Sequence, residues 1–443
     1  MAPRAGRRKR EAAPRKGIAG GASLSHSRGG AQFHMIAKPA GPSCNLRCDY
    51  CFYSEKSALF PRREESRMPD DVLEAFVQKY IASRAGDEVE FVWQGGEPTL
   101  AGLEFYEKAL EFQARHSRDK RIYNCLQTNG TLLDDRWCEF LAKHSFLVGL
   151  SLDGPEDVHD RYRRGADGRP SFESVMRALG LLKKHGIAFN VLACVTDYAA
   201  ARPLHVYWFL KSAGVEFIQF IPIVERQTNS AARQLGLHLA VPSRPGTPGE
   251  SSEVTPWSVG GEAYGDFLLT IFAEWVRSDV GKTFVMNFEW ALGAWAGLPS
   301  GVCVFAPRCG RYLAIEHTGD VYACDHYVYP DYRLGNITND GIAAMISAID
   351  ESGFGAAKFE TLPQQCLECR MLPACNGGCP KHRFLQTADG QEGLNYLCKG
   401  YLKYLAGVAP YMKVMAGYLA SGEPVTKIMD THVIVKGKSS RRP

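Results

Sequence analysis

The chain has 443 residues, of which 45% are hydrophobic, and its formal net charge is +4. That length is enough for two or three domains, and the apolar content is normal for a globular core. The charge is uneven, because residues 1–34 hold eight basic residues and one acid, which leaves −3 for the remainder. A body with this balance is not expected to bind nucleic acid. No apolar run predicts a membrane span or a secretory signal, so we expect a cytoplasmic protein that does not contact membranes.

The first 34 residues are rich in Arg, Gly, Ala and Ser and lack apolar periodicity. This composition predicts a basic, disordered N-terminal extension, because the segment has too little apolar surface to bury. Three interpretations remain: a basic arm that contacts an anionic partner, an inert tail, or a true start at Met35.

A triplet of cysteines begins the body of the chain. Cys44, Cys48 and Cys51 have the spacing C-x3-C-x2-C, and the absence of a secretion signal favours metal binding over disulfide bonds. Thiolates bind iron–sulfur clusters, zinc and Cu(I). A four-iron cube needs four ligands, so this triplet would leave one iron open to a small molecule. The alternative is half of a zinc site that remote residues complete.

Short apolar runs alternate with amphipathic helical stretches from residue 33 to about residue 223. The runs predict six strands, at 33–37, 88–93, 121–127, 147–152, 188–195 and 217–221. Helical spacing predicts helices at 69–83, 103–115, 134–144, 172–185 and 204–213. This alternation predicts a parallel α/β sheet with right-handed crossovers. In parallel barrels the chemistry lies at the carboxyl ends of the strands.

Three polar motifs do follow consecutive strands. The first is Gln94-Gly95-Gly96-Glu97-Pro98, whose paired glycines allow the backbone to approach a ligand closely. The second is Gln127-Thr128-Asn129-Gly130, which is also typical of a plain Asn-Gly turn. The third is Ser151-Leu152-Asp153-Gly154, with Arg163 downstream. A hydroxyl and a guanidinium suit a carboxylate, although Arg163 by itself is equally typical of a solvated loop charge.

Residues 226–262 are polar and rich in Pro, Gly and Ser, which predicts a linker or insertion, either a mobile lid or an inert one. Helical spacing returns at 263–277 and 288–295, so residues 263–300 are expected to form a helical connector.

A second group of cysteines lies between residues 303 and 398. Its eight members are Cys303, Cys309, Cys324, Cys366, Cys369, Cys375, Cys379 and Cys398. Residues 318–326 predict a β-hairpin with a Gly-Asp turn that ends near Asp325. That carboxylate is either a base beside a metal ligand or a turn residue that bonds backbone. The other cysteines, Cys125, Cys138 and Cys194, lie in apolar stretches and are expected to be buried thiols.

The cysteine triplet with its neighbours Tyr50, Phe52 and Tyr53, followed by the motif at 94–98, resembles the radical S-adenosylmethionine (SAM) superfamily. The later cysteines resemble the SPASM extension of members that modify peptides. The resemblance implies an α/β fold: an open partial (β/α)6 barrel of TIM type at 35–225, then a cysteine-rich SPASM domain at 301–405. A C-terminal helix and tail would occupy 406–443.

The same resemblance implies three [4Fe–4S] clusters. SAM would chelate the open iron of the first, and its implied contacts are Gly95, Gly96, Glu97, Asn129, Ser151 and Arg163. One auxiliary cluster would take Cys303, Cys309, Cys324 and Cys379. The other would take Cys366, Cys369, Cys375 and Cys398. A cluster with four thiolates has no open iron, so it would serve electron transfer or structure; two zinc sites with the same ligands are the alternative.

Within the superfamily the chain is most similar to the anaerobic sulfatase-maturating enzymes. This resemblance rests on the cysteine loop with Tyr53, on residues 93–100, 127–130 and 149–154, and on Cys324-Asp325-His326 ahead of 334–337. It implies conversion of a Cys or Ser in an unfolded sulfatase to Cα-formylglycine, with flavodoxin or ferredoxin as electron donor. Asp325 would be the general base, and Tyr53 and Gln94 would line the substrate pocket. The basic extension and the insertion at 226–262 depart from the family pattern.

Two other functions remain open at this point. One is a different SPASM maturase that forms thioether or carbon–carbon links in a precursor peptide. The other is a zinc or iron–sulfur scaffold or electron carrier, in which residues 95–98, Ser151 and Arg163 would have no purpose. The pattern does not distinguish between Cys and Ser as the modified residue.

Overall fold

The computed structural model describes residues 33–60, 67–247, 250 and 252–431. The disordered extension predicted for residues 1–34 therefore lies outside the described residues, except that His34 begins the first strand. The predicted tail beyond residue 431 lies outside them as well.

Strands dominate the centre of the described part of the chain. They are β1 (His34–Lys38), β2 (Glu88–Trp93), β3 (Arg121–Thr128), β4 (Leu147–Ser151), β5 (Phe189–Val195), β6 (Phe217–Pro222), β7 (Phe284–Val285), β8 (Tyr312–Glu316), β9 (Asp320–Tyr322), β10 (Arg333–Asn336), β11 (Leu385–Gln386) and β12 (Glu392–Leu394). The first ten form one sheet in the order β10-β9-β8-β1-β2-β3-β4-β5-β6-β7, and β11 pairs with β12. Strands β1 to β7 are parallel to their neighbours, which confirms the predicted parallel α/β core.

Helices flank this sheet. They are α1 (Asp70–Ser83), α2 (Leu103–His116), α3 (Asp135–Lys143), α4 (Glu156–Tyr162), α5 (Phe172–Lys184), α6 (Asp197–Ala200), α7 (Pro203–Ser212), α8 (Ser230–Gln234), α9 (Gly261–Ser278), α10 (Met286–Trp295), α11 (Ile342–Glu351), α12 (Phe354–Glu360), α13 (Gln364–Leu367), α14 (Leu372–Cys375) and α15 (Cys398–Ala420). The five helices predicted between the barrel strands are confirmed, and the short helices α4 and α6 are additional.

Local sequence explains where these helices begin. The carboxylate of Asp134 accepts a hydrogen bond from the backbone N–H of Trp137 at 2.8 Å, which caps α3 at its first turn. Helix α1 starts directly after Pro69 with two acidic residues, Asp70 and Asp71, in its first turn, where they complement the helix dipole. The buried faces of both helices pack on the sheet as one continuous core.

The hairpin of the second cysteine region is part of the barrel sheet. Strand β8 runs parallel to β1 with His34 opposite Tyr312 and Lys38 opposite Glu316. Strand β9 returns antiparallel to β8 through a turn at Gly319, whose φ of +86° suits glycine. The predicted hairpin is thus confirmed. Its pairing with β1 brings the β8–β9 turn to the carboxyl end of β1, and Asp325 after β9 forms an ion pair with Lys38 at that end.

The C-terminal helix packs on the helical connector. Helices α9 and α15 approach so closely that a Cβ on Gly400 would lie 1.9 Å from the carbonyl oxygen of Gly261. Helix α15 begins at Cys398, so the predicted boundary between residues 405 and 406 falls inside one continuous helix. The last thiol of the second cysteine region is therefore anchored to the connector.

The insertion after β6 is folded against the barrel end. The side chain of Asn229 caps α8, and Leu237 packs with Tyr329 in a small apolar cluster. The carboxylate of Glu55 accepts the backbone N–H groups of His238 (2.8 Å) and Leu239 (3.2 Å). The described part of the insertion is thus tied to the segment that follows the cysteine triplet.

Among the described helices, none combines the length and apolar character that crossing a bilayer requires.

Candidate functional site

The loop of the cysteine triplet is held by the segment that follows α4. The backbone N–H of Arg47 donates to the carbonyl of Arg164 at 2.7 Å, and that of Asp49 donates to Tyr162 at 3.1 Å. The N–H of Cys51 closes a turn onto the carbonyl of Cys48 at 3.1 Å. The thiols thus face the barrel end from a fixed backbone.

The three thiols lie close to one another and are largely buried. Burial raises the pKa of Cys44 to about 11 and that of Cys48 to about 12, and the neighbouring Cys51 raises both further. The sulfur of Cys44 accepts the backbone N–H of Leu46 at 3.4 Å. Without a metal Cys44 and Cys48 hold their protons at neutral pH, so a metal must displace those protons when it binds.

The paired glycines after β2 contact the backbone that leads into the cysteine loop. A Cβ on Gly96 would lie 2.1 Å from the carbonyl oxygen of Ser43, and one on Gly95 would lie 2.9 Å from that of Gly41. The N–H of Gly96 donates to Gly41, and the N–H of Glu97 donates to Ser43. The close approach that requires glycine is therefore to the turn just before Cys44.

Glu97 is fully buried and braces two loops. One carboxylate oxygen accepts from the backbone N–H of Thr99 (3.1 Å) and from the hydroxyls of Thr99 (2.6 Å) and Thr128 (2.7 Å). The other accepts the backbone N–H of Asn129 at 2.8 Å. Burial raises the pKa of Glu97, and these donors oppose the rise. The contact of Glu97 with SAM stays a prediction, because its hydrogen bonds here are internal.

Asn129 reaches the cysteine loop. Its amide nitrogen donates to the side-chain oxygen of Asn45 at 2.9 Å and lies 3.8 Å from the sulfur of Cys44. Its oxygen accepts the N–H and the hydroxyl of Thr131 at 2.9 and 2.7 Å. These contacts exceed what an ordinary Asn-Gly turn needs, and they link the end of β3 to the first thiol.

Ser151 and Arg163 have partners that the sequence did not reveal. The hydroxyl of Ser151 accepts a hydrogen bond from the side chain of Gln127 at 3.2 Å. Arg163 is buried, and its Nε and Nη2 donate to Asp153 at 2.9 and 3.1 Å. The hydroxyl of Tyr50 donates to the same carboxylate at 2.5 Å. Arg163 is thus not a solvated loop charge. It ties the end of β4 to the cysteine triplet through Tyr50.

Asp325 lies at the junction of the hairpin with β1, where Lys38 forms an ion pair with it. Its side chain is 16% exposed and that of Lys38 is 1% exposed. Burial would raise the pKa of Asp325, but Lys38 and His326 outweigh it and the pKa falls below its usual range. The carboxylate is therefore ionised at neutral pH and can accept a proton.

Tyr53 and Gln94 lie beside this pair. The hydroxyl of Tyr53 donates to Glu316 at 2.5 Å, and Lys38 lies 4.6 Å above its ring. Gln94 is half-buried, and its N–H donates to the carbonyl of Ala37 at 2.8 Å. Tyr53 follows the cysteine triplet and lies near Asp325, whereas Gln94 directly follows β2. Their contact with a substrate stays a prediction.

The eight later cysteines lie near one another, and their division into two cluster-binding sets stays a prediction that the following contacts support. Cys303, Cys309 and Cys379 each contribute to raising the pKa of Cys324, which burial raises most. In the other set, Cys398, Cys366 and Cys369 raise the pKa of Cys375 in the same way. The thiols of each set therefore lie within electrostatic reach of one another.

Backbone N–H groups point at sulfur in both cysteine regions, from Leu46 to Cys44 and from Met371 to Cys369, both at 3.4 Å. Such contacts stabilise thiolates that bind either iron or zinc, so the choice between iron–sulfur clusters and zinc ions at these thiols stays a prediction.

A cavity of about 120 Å³ lies between the end of β6 and the second cysteine region. Phe52 and His326 line it near the hairpin, and Cys379 lines it on the side of the second cysteine region. Its residues Lys381 and Glu225 form a buried ion pair that joins the barrel to that region. The cavity therefore lies between residues of the barrel end and the second cysteine region.

Two residues of the site, Lys38 and Glu316, carried no signal in the sequence, because each lies at the end of a buried strand. Gln127 and Asp153 belong to two of the polar motifs, but the sequence did not indicate that they contact Ser151 and Arg163. A charged residue at the carboxyl end of a buried strand is the one cue that was present, since strand interiors rarely hold unpaired charges.

Comparisons with known proteins agree with this geometry. The family model described as the Radical SAM superfamily matches residues 39–197, and SPASM, described as an iron–sulfur cluster-binding domain, matches residues 303–370. A serine-type anaerobic sulfatase-maturating enzyme from Bacteroides thetaiotaomicron is 46% identical over 396 residues, 89% of this chain and 94% of that protein. A cysteine-type enzyme from Clostridium perfringens is 32% identical over 379 residues, 85% of this chain and 96% of that protein.

A solved structure is similar as well. It is described as native anSMEcpe with bound AdoMet and Cp18Cys peptide, and it is 32% identical with a TM-score of 0.74. The match covers 87% of this chain and 99% of that one. With 46% identity over nearly the whole length of a relative, the chain belongs to the anaerobic sulfatase-maturating enzymes of the radical SAM superfamily.

Proposed function

We propose that this enzyme oxidises Cβ of a Ser or Cys residue in an unfolded sulfatase polypeptide and so produces Cα-formylglycine. The observation that supports this most strongly is the ion pair of Asp325 with Lys38, because Lys38 ends β1 on the side of the barrel from which the chain enters the cysteine loop. The same relatives argue against a thioether-forming maturase, since both serine-type and cysteine-type enzymes align over most of the chain.

Three [4Fe–4S] clusters and SAM are the cofactor set that the thiols fit. Cys44, Cys48 and Cys51 would hold the first cluster, and the two later sets would hold the others. When bound, these groups supply the one-electron chemistry: a hydrogen atom is removed from Cβ and a second electron is accepted. An acidic carrier such as flavodoxin or ferredoxin would reduce the first cluster.

Within this reaction residues of the chain accept the proton that the substrate side chain loses. Asp325 takes the proton of the substrate hydroxyl or thiol, which completes the loss of one hydrogen atom, one proton and one electron. Lys38 keeps the carboxylate ionised before the proton arrives. With Ser the aldehyde forms directly. With Cys a thioaldehyde forms first, and water must hydrolyse it to the aldehyde with release of hydrogen sulfide.

Substrate would bind as an extended segment at the barrel end. Tyr53 and Gln94 border Asp325, and the cavity beside Phe52 and His326 continues from there. A folded sulfatase could not present an internal residue in this space, so recognition precedes folding. Ser is the first substrate to test, because the relative at 46% identity is a serine-type enzyme.

Anaerobic reconstitution followed by a peptide assay tests the proposal. The expected result is iron and sulfide for three four-iron clusters, release of 5′-deoxyadenosine, and loss of two hydrogens from a Ser peptide. The matched variant is Asp325→Asn, which should bind clusters and cleave SAM while peptide oxidation falls at least tenfold. Zinc alone with no 5′-deoxyadenosine would contradict the proposal, and full activity of Asp325→Asn would remove the base.

A further inference from the structure

Lys358, on α12, is a buried cation next to the first auxiliary thiol set. Its side chain is completely inaccessible to solvent. Its ammonium donates to the carbonyl of Cys303 at 2.5 Å, to that of Val304 at 2.9 Å and to that of Ala306. Helix α12 contacts the same set again where Gly355 accepts the backbone N–H of Cys309 at 3.1 Å.

The hydrogen bonds of Lys358 define its charge. An ammonium has three N–H donors, and three carbonyl oxygens accept them here. A neutral amine would have two donors and would leave one carbonyl without a partner in a buried place. The three carbonyl acceptors around this nitrogen match the three donors of an ammonium, and no carboxylate is among the hydrogen-bond partners found for it.

Arg383 extends this charge toward the second set. Its Nη1 donates to the carbonyl of Lys358 at 2.5 Å, and Nε and Nη2 donate to Gly377 and Asn376 at 3.0 and 2.9 Å. The acceptors lie in the turn between Cys375 and Cys379, which belong to different sets. Thiols of both sets, Cys309 and Cys379 together with Cys366 and Cys375, are near enough to affect its pKa.

We propose that Lys358 and Arg383 form a cationic bridge between the two auxiliary sites that raises the reduction potentials of the clusters bound there. This inference rests on the cofactor set proposed above. Cluster potentials depend on local net charge and on solvent exposure. A fixed positive charge favours the reduced cluster, which carries one more negative charge, and burial prevents water from screening it. Lys358 and Arg383 are positioning residues, since they act through the clusters and touch no substrate.

The positive charge of Lys358 and Arg383 determines the role of the bridge in the reaction. The auxiliary clusters are the proposed acceptors of the second substrate electron. A higher potential makes a cluster a better acceptor, so the bridge directs that electron away from the substrate. The charge of Lys358 acts mainly on the set of Cys303, and that of Arg383 acts on both sets.

The test is a potentiometric titration followed by electron paramagnetic resonance. The full-length chain would carry Cys44→Ala, Cys48→Ala and Cys51→Ala, so that only auxiliary clusters contribute to the signal. In this background Lys358→Gln should lower the potential of one cluster and Arg383→Gln that of both. The charge-keeping variants Lys358→Arg and Arg383→Lys should restore most of each shift.

Exposed cations beside cluster ligands serve as matched controls. Arg370 follows Cys369, Lys399 follows Cys398, and both are exposed. Arg370→Gln and Lys399→Gln remove the same charge close to a ligand, but solvent screens it, so the potentials should stay at the wild-type value. A shift in these controls as large as in Lys358→Gln would overturn the inference.

Iron content distinguishes the remaining outcomes. If iron-loaded Lys358→Gln and Arg383→Gln keep wild-type potentials, the inference fails while the proposed function stands. Zinc at both sites would overturn both. If only one of Lys358→Gln and Arg383→Gln loses its iron, the potential of the other variant tests the inference. If both lose iron and Lys358→Arg loses it too, the two cations have a purely structural role and the inference is overturned.

Discussion

The ammonium of Lys38 forms an ion pair with the carboxylate of Asp325 where the first strand of the barrel meets the hairpin of the cysteine-rich region. The two residues come from opposite halves of the chain, and each is nearly enclosed. The ring of Tyr53 covers the ammonium at 4.6 Å. Lys38 lowers the pKa of this carboxylate against the opposing effect of burial, so the pair keeps Asp325 ionised and ready to accept a proton.

Lys38→Met should therefore damage both stability and catalysis. Removing one partner of a buried pair leaves an uncompensated charge and costs about 3 kcal/mol. The pKa of Asp325 should rise, so peptide oxidation should become optimal at higher pH. A pH profile of turnover measures this, with Lys38→Arg as the control that keeps the charge. An unchanged profile in Lys38→Met would contradict the assignment.

Gly96→Ala should empty the first metal site and leave the auxiliary sites loaded. The added Cβ would lie 2.1 Å from the carbonyl of Ser43, so the turn before Cys44 must move. Iron analysis after reconstitution measures the loss. Gly180→Ala is the control, because nothing lies within 4 Å of that Cβ and alanine favours its helix. Full iron in Gly96→Ala would show that the turn tolerates the shift.

Glu97→Gln should destabilise the apoprotein by about 2 kcal/mol, because an amide nitrogen would then face hydrogen-bond donors in a buried site. Equilibrium unfolding in urea measures the change. Thr128→Ser keeps the hydroxyl that donates to Glu97 at 2.7 Å and should lie within about 1 kcal/mol of wild type. Equal stability of Glu97→Gln and wild type would mean that the carboxylate does not brace the two loops.

Stability should fall as the pH is lowered from about 6.5 to about 4. Burial lowers the pKa of both His34 and His159 to about 4, against a usual value of 6.5. In this window the unfolded chain binds more protons than the folded chain, so acid favours unfolding by about 3 kcal/mol per histidine. Urea midpoints at several pH values measure the slope. His159→Gln should reduce it, and an identical slope would contradict the prediction.

The barrel could be predicted from sequence because its strands are short apolar runs between amphipathic helices. Strand β2 was predicted with its observed bounds, β1 is shifted by one residue, and β3 to β6 each differ by one residue at one end. Spacing alone also separated the cysteines into a triplet and a later group. These features are local, and local patterns are what a sequence shows most directly.

The contacts that assemble the site were not visible in this way. The glycine pair at 95–96 indicated a close backbone approach but did not reveal the turn at Ser43, which the structure places against Gly96. Arg163 needed Asp153, and Asp325 needed Lys38, and both pairs form only through the tertiary fold. The polar insertion resembled a linker because its anchors, such as Glu55, lie far away in sequence.

Strand β8 also shields the outer edge of β1 from water. A protein shortened before residue 300 would present β1 as a bare edge whose N–H and C=O groups invite pairing with another copy. The barrel therefore cannot be isolated from the cysteine-rich half without becoming prone to aggregation, and the two halves must be made, and must evolve, as one polypeptide.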